Sequence, residues 1–243
     1  MVLPFFISYE RTDKEVHEIV EKTFSLLESL ANVSIPRKHM GDSWTQGDFG
    51  SIEWYVKQAH HKRRRQANMQ ILWKLFESEP WQEERHHELV VLESDLYMGS
   101  EDNNFVFGET RIKMLPDGRI FSDTHTDGKP YVTGIVQSLN RIRKWCGNSW
   151  RDNFFISLLH ELGHFFGVPS RLNPNYITQN IAINYLDEGH CDDRGCIMEQ
   201  INIEGRMDLL EKTKFLLEHN PALFCRYDLD TLRKNLKTLY KQT

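Results

Sequence analysis

The chain has 243 residues, of which 40% are hydrophobic and 12% aromatic, with a formal net charge of -5 and a pI near 6.1. This length and composition are typical of a globular protein and exclude a chain without a packed core. The acidic balance gives no electrostatic reason to expect nucleic acid as a partner.

Compartment and partners follow from a few local features. The first residues lack the basic leader and cleavage site of a signal peptide, and no apolar stretch is long enough to span a bilayer. The four cysteines fit metal ligation in a reducing compartment better than a disulfide framework. The basic run at residues 60–65 is interpreted as a solvated loop or first helical turn, with partner docking as the alternative. We expect a cytoplasmic protein with neither membrane nor nucleic-acid partners.

Strand and helix signals alternate along the first part of the chain. Residues 4–9 are β-prone and residues 12–30 have helical periodicity. Residues 32–51 contain proline and several glycines, which favour a loop. A second helix is predicted over residues 66–77, and the apolar run 89–92 is typical of a buried central strand.

More strand signals precede the next helix. Residues 104–108 and 135–139 are predicted strands. Residues 111–115 and 119–121 flank the turn signal Pro116-Asp117-Gly118 and are predicted to form a hairpin. This alternation predicts an α/β (α+β) fold.

A strongly patterned helix is predicted next. Apolar residues recur at helical spacing from Trp150 to Phe166. Ser149 with Asp152 resembles a capping box, and Gly167 supplies a stop signal.

This helix carries His160, Glu161 and His164. Residues four apart share a helix face, so the two imidazoles can bind one zinc ion while Glu161 lies beside them as a base. A catalytic zinc needs a third protein ligand and an open position for water. The alternative is a core helix with two hydrogen-bonded histidines.

After residue 167 the pattern weakens into a predicted loop, with a short irregular element at residues 181–186 and two helices over residues 206–219 and 228–240. Three cysteines, Cys191, Cys196 and Cys225, lie in this part of the chain. Two interpretations stay open: a structural zinc site that holds the C-terminal helices to the active-site region, or buried free thiols.

These residues resemble the archaemetzincins, a branch of the metzincin zinc peptidases. The family signature is His-Glu-x-x-His-x-x-Gly-x-x-His-Cys-x-x-x-x-Cys-x-Met, followed later by Phe-Cys-x-x-Cys. The matching positions are residues 160–167, His190-Cys191, Cys196, Met198 and Phe224-Cys225. Segments near residues 65–68, 95–97, 104–108 and 138–141 also resemble that family's blocks, so the resemblance covers most of the chain.

The resemblance implies a metzincin-like mixed twisted sheet with an active-site helix and a smaller helical C-terminal subdomain. It implies a peptidase in which His160, His164 and His190 hold catalytic zinc. Glu161 would act as general base and acid. Met198 would be the Met-turn methionine, a hydrophobic floor beneath the imidazoles and not a ligand.

The chain departs from the family pattern at two positions. Ser170 stands where the family has its third histidine, and His190 follows only after an insertion, residues 170–189. Because longer loops cost little closure entropy, His190 stays the expected third ligand. Asp228 stands where the family has its last cysteine, so the fourth ligand of a second, structural zinc is Asp228, another side chain or none.

The predicted organisation has two parts: residues 1–167, with the sheet and the histidine helix, and residues 168–243, with the insertion and the cysteines. The expected substrate is a peptide or protein that lies along a sheet edge supplied by residues 104–108 or 135–139. The insertion is expected to shape the cleft and to favour small or flexible peptides. The alternatives are a catalytically restrained metzincin-fold protein with a regulatory or partner-binding role, and a metal-stabilised structural module. The oligomeric state is open.

Overall fold

The computed structural model describes residues 2–11, 13–41, 51–78, 85–98, 105–111, 113–115, 119–120, 132–178, 189–199 and 206–240. The predicted turn at residues 116–118 and the irregular element at residues 181–186 lie outside this range, as does Asn104 at the start of one predicted strand. Among the described helices, none is both long enough and apolar enough to cross a membrane.

Strands and helices alternate in the first half of the chain, and helices predominate in the second. The strands are β1 (Phe5–Tyr9), β2 (Arg37–Gly41), β3 (His60–His61), β4 (Gln66–Asn68), β5 (His87–Leu92), β6 (Leu96–Tyr97), β7 (Gly108–Arg111), β8 (Gly134–Ser138), β9 (Tyr176–Thr178) and β10 (Gly189–Cys191). The helices are α1 (Lys14–Ala31), α2 (Ile52–Ala59), α3 (Met69–Glu77), α4 (Asn140–Cys146), α5 (Trp150–Phe165), α6 (Arg206–His219) and α7 (Arg226–Tyr240).

The main sheet is mixed, with strand order β2-β1-β5-β8-β7. The first four strands in this order pair in parallel, and β7 pairs antiparallel with β8. The predicted central strand at residues 89–92 is confirmed, because β5 lies in the middle of the sheet. Because β8 pairs with strands on both sides, the expectation that residues 135–139 offer a free edge is wrong.

Burial explains why the sequence forms this sheet. All residues of β1, β5 and β8 are buried, as expected for parallel strands covered on both faces. On one side, α2 and α3 contribute Tyr55, Leu72, Trp73 and Phe76 to a buried cluster with Val90 and Val136. The helix α3 begins where the Asn68 side chain accepts hydrogen bonds from the backbone N–H groups of residues 70 and 71.

The described chain groups into two compact units. One comprises residues 1–18, 35–111 and 122–144 and contains the main sheet. The other comprises residues 19–34, 112–121 and 145–243 and contains α5, α6 and α7. In the second unit, Asn153 on α5 accepts a 2.8 Å hydrogen bond from Thr213 on α6, and Asn235 on α7 donates one of 2.7 Å to the Phe166 carbonyl. Each unit contains several separate segments of the chain, so the predicted division into residues 1–167 and 168–243 stays a prediction.

Several local predictions need correction. The predicted loop at residues 32–51 contains β2, an edge strand whose residues are partly buried or exposed and therefore lack a clear apolar pattern. The helix predicted from residue 66 begins at Met69, because residues 66–68 pair with β3 and β6. The strand predicted over residues 104–108 begins only at Gly108. Ser149 makes no side-chain cap for α5. It is the last residue of a 3₁₀ turn that continues directly into the helix.

Candidate metal centres

The helix α5 positions the first two histidines one turn apart. His160 and His164 place their Nε2 atoms 3.0 Å from each other. Two nitrogens bound to one tetrahedral zinc at 2.0–2.1 Å are about 3.3 Å apart, so this separation suits a shared metal ion. The predicted clustering of these two residues on one helix face is therefore observed.

The end of α5 is fixed just after His164. Phe166 and Gly167 donate backbone hydrogen bonds to Gly163 and His164, respectively, and Val168 also donates to Gly163. Gly167 has φ +72, and a Cβ there would lie 2.9 Å from the carbonyl oxygen of Leu115. Glycine therefore serves both as the left-handed stop and as a point of close approach, which supports the predicted stop signal.

His190 arrives on a hairpin. The strands β9 and β10 pair antiparallel, with Thr178 opposite Gly189 and Ile177 opposite His190. The chain before and after residues 179–188 is thus brought to adjacent positions, as expected for an insertion that leaves and returns. The ring centroid of His190 lies 5.4 Å from that of His160 and 5.0 Å from that of His164.

The three histidines form one cluster, in which a ligand nitrogen from each lies within 4.8 Å of the others. Burial lowers the pKa of His160 and lowers that of His164 well below its usual value. Burial, followed by the charge of His160, lowers the pKa of His190 to about 3. The imidazoles are therefore neutral near neutral pH, the form in which a ring nitrogen has a lone pair for a metal.

One observation and one electrostatic argument support a cation at this cluster. The buried Nδ1 of His190 has no hydrogen-bond partner among the described residues. Three adjacent imidazoles would also repel one another if protonated, whereas a shared cation satisfies their lone pairs. The donor set thus fits zinc with three nitrogen ligands.

A backbone carbonyl orients the first histidine. His160 Nδ1 lies 2.8 Å from the carbonyl oxygen of Ile197. A carbonyl only accepts, so Nδ1 carries the proton and Nε2 presents its lone pair to the cluster. No sequence pattern indicates this contact, because a carbonyl group is common to every residue.

Met198 lies directly against the histidine helix. Its side chain is fully buried, and a Cβ added at Gly163 would lie 2.4 Å from Met198 Sδ. Gly163 therefore leaves the space that Met198 fills beside His164. This position suits the predicted hydrophobic floor, whose role stays a prediction.

Glu161 follows His160 on α5 and is partly buried. Its place on the helix is as the sequence predicts. Its role as a base stays a prediction.

A second cluster consists of Cys191, Cys196, Cys225 and Asp228, all buried, with one ligand atom from each within 4.8 Å of the others. Cys191 Sγ and Cys225 Sγ are 3.9 Å apart, close to the separation of about 3.8 Å expected for two sulfurs bound to one zinc at 2.3 Å. The cysteines are free and not disulfide-bonded.

The ionisation of this cluster also suits a cation. Burial, followed by the charge of Cys225, raises the pKa of Asp228 to about 7. Hydrogen bonds with the Cys191 and Cys225 sulfurs raise the pKa of Cys196. Acidic groups that resist ionisation because they are buried together become favourable ligands when a metal ion neutralises them. Sequence reasoning missed one neighbour, Asn173, whose amide donates a 2.8 Å hydrogen bond to Asp228.

The C-terminal helices are attached to the loop around these cysteines. Lys212 on α6 donates a 2.7 Å hydrogen bond to the Arg194 carbonyl and pairs with Glu199. Asn220, after α6, donates to the Gly195 carbonyl. These contacts fix the loop between Cys191 and Met198.

Comparison with known proteins gives a structural match only. No family model and no curated protein match the sequence. Among solved structures, the archaemetzincin from Methanopyrus kandleri matches with a TM-score of 0.58 and 18% identity, over 97% of this chain and 96% of that one. The archaemetzincin from Archaeoglobus fulgidus matches with a TM-score of 0.51 and 17% identity, over 94% of this chain and 99% of that one. A zinc-dependent peptidase from Methanocorpusculum labreanum matches with a TM-score of 0.50 and 15% identity, over the same shares of the two chains. The fold is therefore archaemetzincin-like.

Proposed function

We propose that this chain, given its archaemetzincin-like fold, is a zinc-dependent peptidase. The observation that carries the proposal is the cluster of His160, His164 and His190, whose ligand nitrogens lie within 4.8 Å of one another although the third comes from a separate hairpin. Similar structures include one described as a zinc-dependent peptidase. The proposed substrate is accordingly a peptide or protein.

Each residue has a separate task in the proposed reaction. Zinc, when bound, supplies a Lewis acid that polarises the scissile carbonyl and makes water more acidic. Glu161 accepts a proton from the attacking water and passes it to the leaving amine. The Ile197 carbonyl holds His160 in the tautomer with Nε2 unprotonated. Met198 fills the space beside Gly163 and keeps water from beneath the imidazoles.

The second cluster is proposed to hold a structural zinc. Cys191, Cys196 and Cys225 supply three sulfurs, and Asp228 lies with them. A closed four-ligand site leaves no position for water, so its task is to stabilise the loop that carries His190 and Met198.

The insertion is proposed to restrict access to the site. Since Thr178 and Gly189 pair directly, a short turn can replace residues 179–188 without separating the two strands. This replacement should leave cleavage of short peptides unchanged and increase cleavage of folded proteins. If the replacement changes neither the rate of peptide cleavage nor the rate of protein cleavage, the proposed restriction is contradicted.

Metal analysis combined with two substitutions tests the function. The wild-type chain should contain one zinc for each of the two clusters. His164→Ala should remove one zinc and abolish hydrolysis. Glu161→Gln should keep both metals and lower the peptidase rate by about 10²–10⁴-fold. His219→Ala, outside both clusters, is the matched control.

Two outcomes would contradict the proposal. Retained hydrolysis in Glu161→Gln would exclude the proposed base. A chain that binds zinc at the histidines but cleaves no peptide in a broad library would favour the alternative, a regulatory or partner-binding module on this fold.

A further inference from the structure

The two carboxylate oxygens of Asp228 contact different groups. Asp228 is fully buried, and its Oδ2 lies 3.2 Å from Cys196 Sγ. Its Oδ1 accepts a 2.8 Å hydrogen bond from Nδ2 of Asn173. Oδ2 therefore faces the Cys196 sulfur, while Oδ1 faces the Asn173 amide.

The orientation of the Asn173 amide is fixed by a further contact. Asn173 Oδ1 accepts a 2.9 Å hydrogen bond from the backbone N–H of Asn175. A backbone N–H can only donate, so the amide oxygen must lie on that side and the NH₂ group must face the cluster. The same Nδ2 lies 3.5 Å from Cys191 Sγ and 3.7 Å from Cys225 Sγ.

Charge explains why such a donor is needed. Three thiolates and a carboxylate around one divalent ion leave a net charge of about -2 in a buried site. Buried negative charge is stabilised by N–H donors directed at it. Asn173 supplies donors towards Asp228 and two sulfurs, and the backbone N–H of Cys225 lies 3.3 Å from Cys196 Sγ.

We infer that Asp228 is the fourth ligand of the second zinc through Oδ2 alone, and that Asn173 is the residue that positions this carboxylate. The inference rests on the structural zinc site proposed above. Because Oδ2 faces Cys196 Sγ while the hydrogen bond from Asn173 holds Oδ1 on the other side, Oδ2 is the oxygen placed to complete a four-ligand site. The separation of 3.2 Å between Cys196 Sγ and Asp228 Oδ2 is near the value of about 3.6 Å for sulfur and oxygen ligands of one zinc.

Asn173 belongs to the segment that separates Gly167 from His190. Its backbone N–H donates to the Ser170 carbonyl at 2.8 Å, and its carbonyl accepts from the Tyr176 N–H at 3.0 Å, so a tight turn directly before β9 holds it in place. Residues 170–189 and Asp228 are the two departures of this chain from the archaemetzincin signature. The hydrogen bond from Asn173 joins them: the insertion supplies the group that lets a carboxylate occupy a cysteine position.

The test measures metal release without substrate, so that failure of the peptidase proposal does not affect it. The full-length chain is loaded with zinc, and transfer from the cysteine cluster to a chromophoric chelator is followed in wild type, Asn173→Ala and Asn173→Asp. Loss of a hydrogen bond to a metal ligand typically weakens metal binding tenfold to a hundredfold, so both variants should release zinc about 10–100-fold faster. Asn175→Ala is the matched control, because it keeps the backbone N–H that Asn173 accepts from.

A substitution at the ligand itself separates positioning from packing. Asp228→Cys removes the carboxylate that Asn173 positions but keeps its contacts with the Cys191 and Cys225 sulfurs, so Asn173→Ala should accelerate zinc release less in that background than in the wild type. Cobalt in the wild-type site should give a tetrahedral spectrum, and its sulfur-to-metal charge-transfer band should strengthen in Asp228→Cys because a fourth thiolate is added. Asn173→Asp preserves the side-chain volume and serves as the readout if the alanine variant does not fold.

Three results would overturn the inference. Unchanged zinc release in both Asn173 variants would exclude the positioning role. An equal loss in the Asp228→Cys background would show that Asn173 acts through the sulfurs or the fold. An unchanged cobalt spectrum in Asp228→Cys would exclude Asp228 as a ligand. A metal content in Cys196→Ser equal to that of the wild type would exclude a metal at this cluster.

Discussion

Gly189→Ala tests whether the β9–β10 hairpin sets the position of the third histidine. A Cβ at residue 189 would lie 2.0 Å from Cε2 and 2.1 Å from Cζ of the Tyr176 ring. Ordinary van der Waals contact between carbon atoms begins at about 3.4 Å, so the ring and β10 must separate by about 1.4 Å. Gly189 lies in a strand, where alanine has no backbone penalty, so the effect is purely steric.

The displacement is large compared with what a metal site tolerates. Zinc–nitrogen distances are held within about 0.2 Å, and His190 directly follows residue 189. Overpacking of this kind costs about 1–3 kcal/mol, and each 1.4 kcal/mol is about a tenfold change in an equilibrium constant. We therefore expect zinc to bind the histidine cluster about 10–100-fold more weakly.

The assay is zinc competition with a chelator of known affinity, on Gly189→Ala, Tyr176→Ala and the double variant. Removing the ring opens the space for the new methyl group, so the double variant should bind zinc more tightly than Gly189→Ala. Unchanged affinity in Gly189→Ala would refute the reasoning, because the ring would then move without β10. A double variant as weak as Gly189→Ala would also refute it.

Three further predictions concern stability. Gly163→Ala should lower the free energy of unfolding by about 1–3 kcal/mol despite better helix propensity, because its Cβ would lie 2.4 Å from Met198 Sδ; urea denaturation of Gly163→Ala checks this. Gly134→Ala should lower the free energy of unfolding by more than about 3 kcal/mol, because its Cβ would lie 2.2 Å from the carbonyl oxygen of Glu88. Gly147→Ala has open space around its Cβ and should lower it by only about 1–2 kcal/mol, because of the positive φ at that position. In zinc-free protein the pKa of His190 is lowered to about 3, against about 6.5 when unfolded, so between these values the unfolded state binds more protons and acidification destabilises the fold. Lowering the pH from about 8 to about 5 should reduce the free energy of unfolding by about 2 kcal/mol through this residue, as measured by urea denaturation at the two pH values. An equal reduction in His190→Gln would show that His190 is not its source.

Elements with strong periodicity could be predicted from the sequence, and elements defined by their partners could not. The helix α5 and the strand β5 have long apolar patterns, and both lie at the predicted positions. The edge strand β2 has the sequence Arg-Lys-His-Met-Gly, and only its pairing with β1 makes it a strand. Residues 66–68 are predicted as part of α3, because their pairing with β3 and β6 leaves no pattern in the local sequence that distinguishes a short strand from the start of a helix.

The metal clusters show the same distinction. His160 and His164 are close because of helix geometry, so their spacing alone predicts the pair. His190 and the cysteine cluster depend on a hairpin and two later segments, and only resemblance to a known signature predicts that they come together. The sequence contains no signal for the contacts of the Ile197 carbonyl and the Asn173 amide. Every residue has a backbone carbonyl, and asparagine is common in loops and turns for other reasons.

His190 and Cys191 are consecutive residues of one strand, yet they belong to different clusters, because side chains alternate between the two faces of a strand. A slip of one residue in the pairing of β10 with β9 would turn both side chains to the opposite faces of the hairpin and remove each from its cluster. Neither cluster would then keep its set of donors, and any zinc present would favour the correct alignment twice. If zinc binds at both clusters as proposed, the two metals would together select the correct pairing of this hairpin during folding.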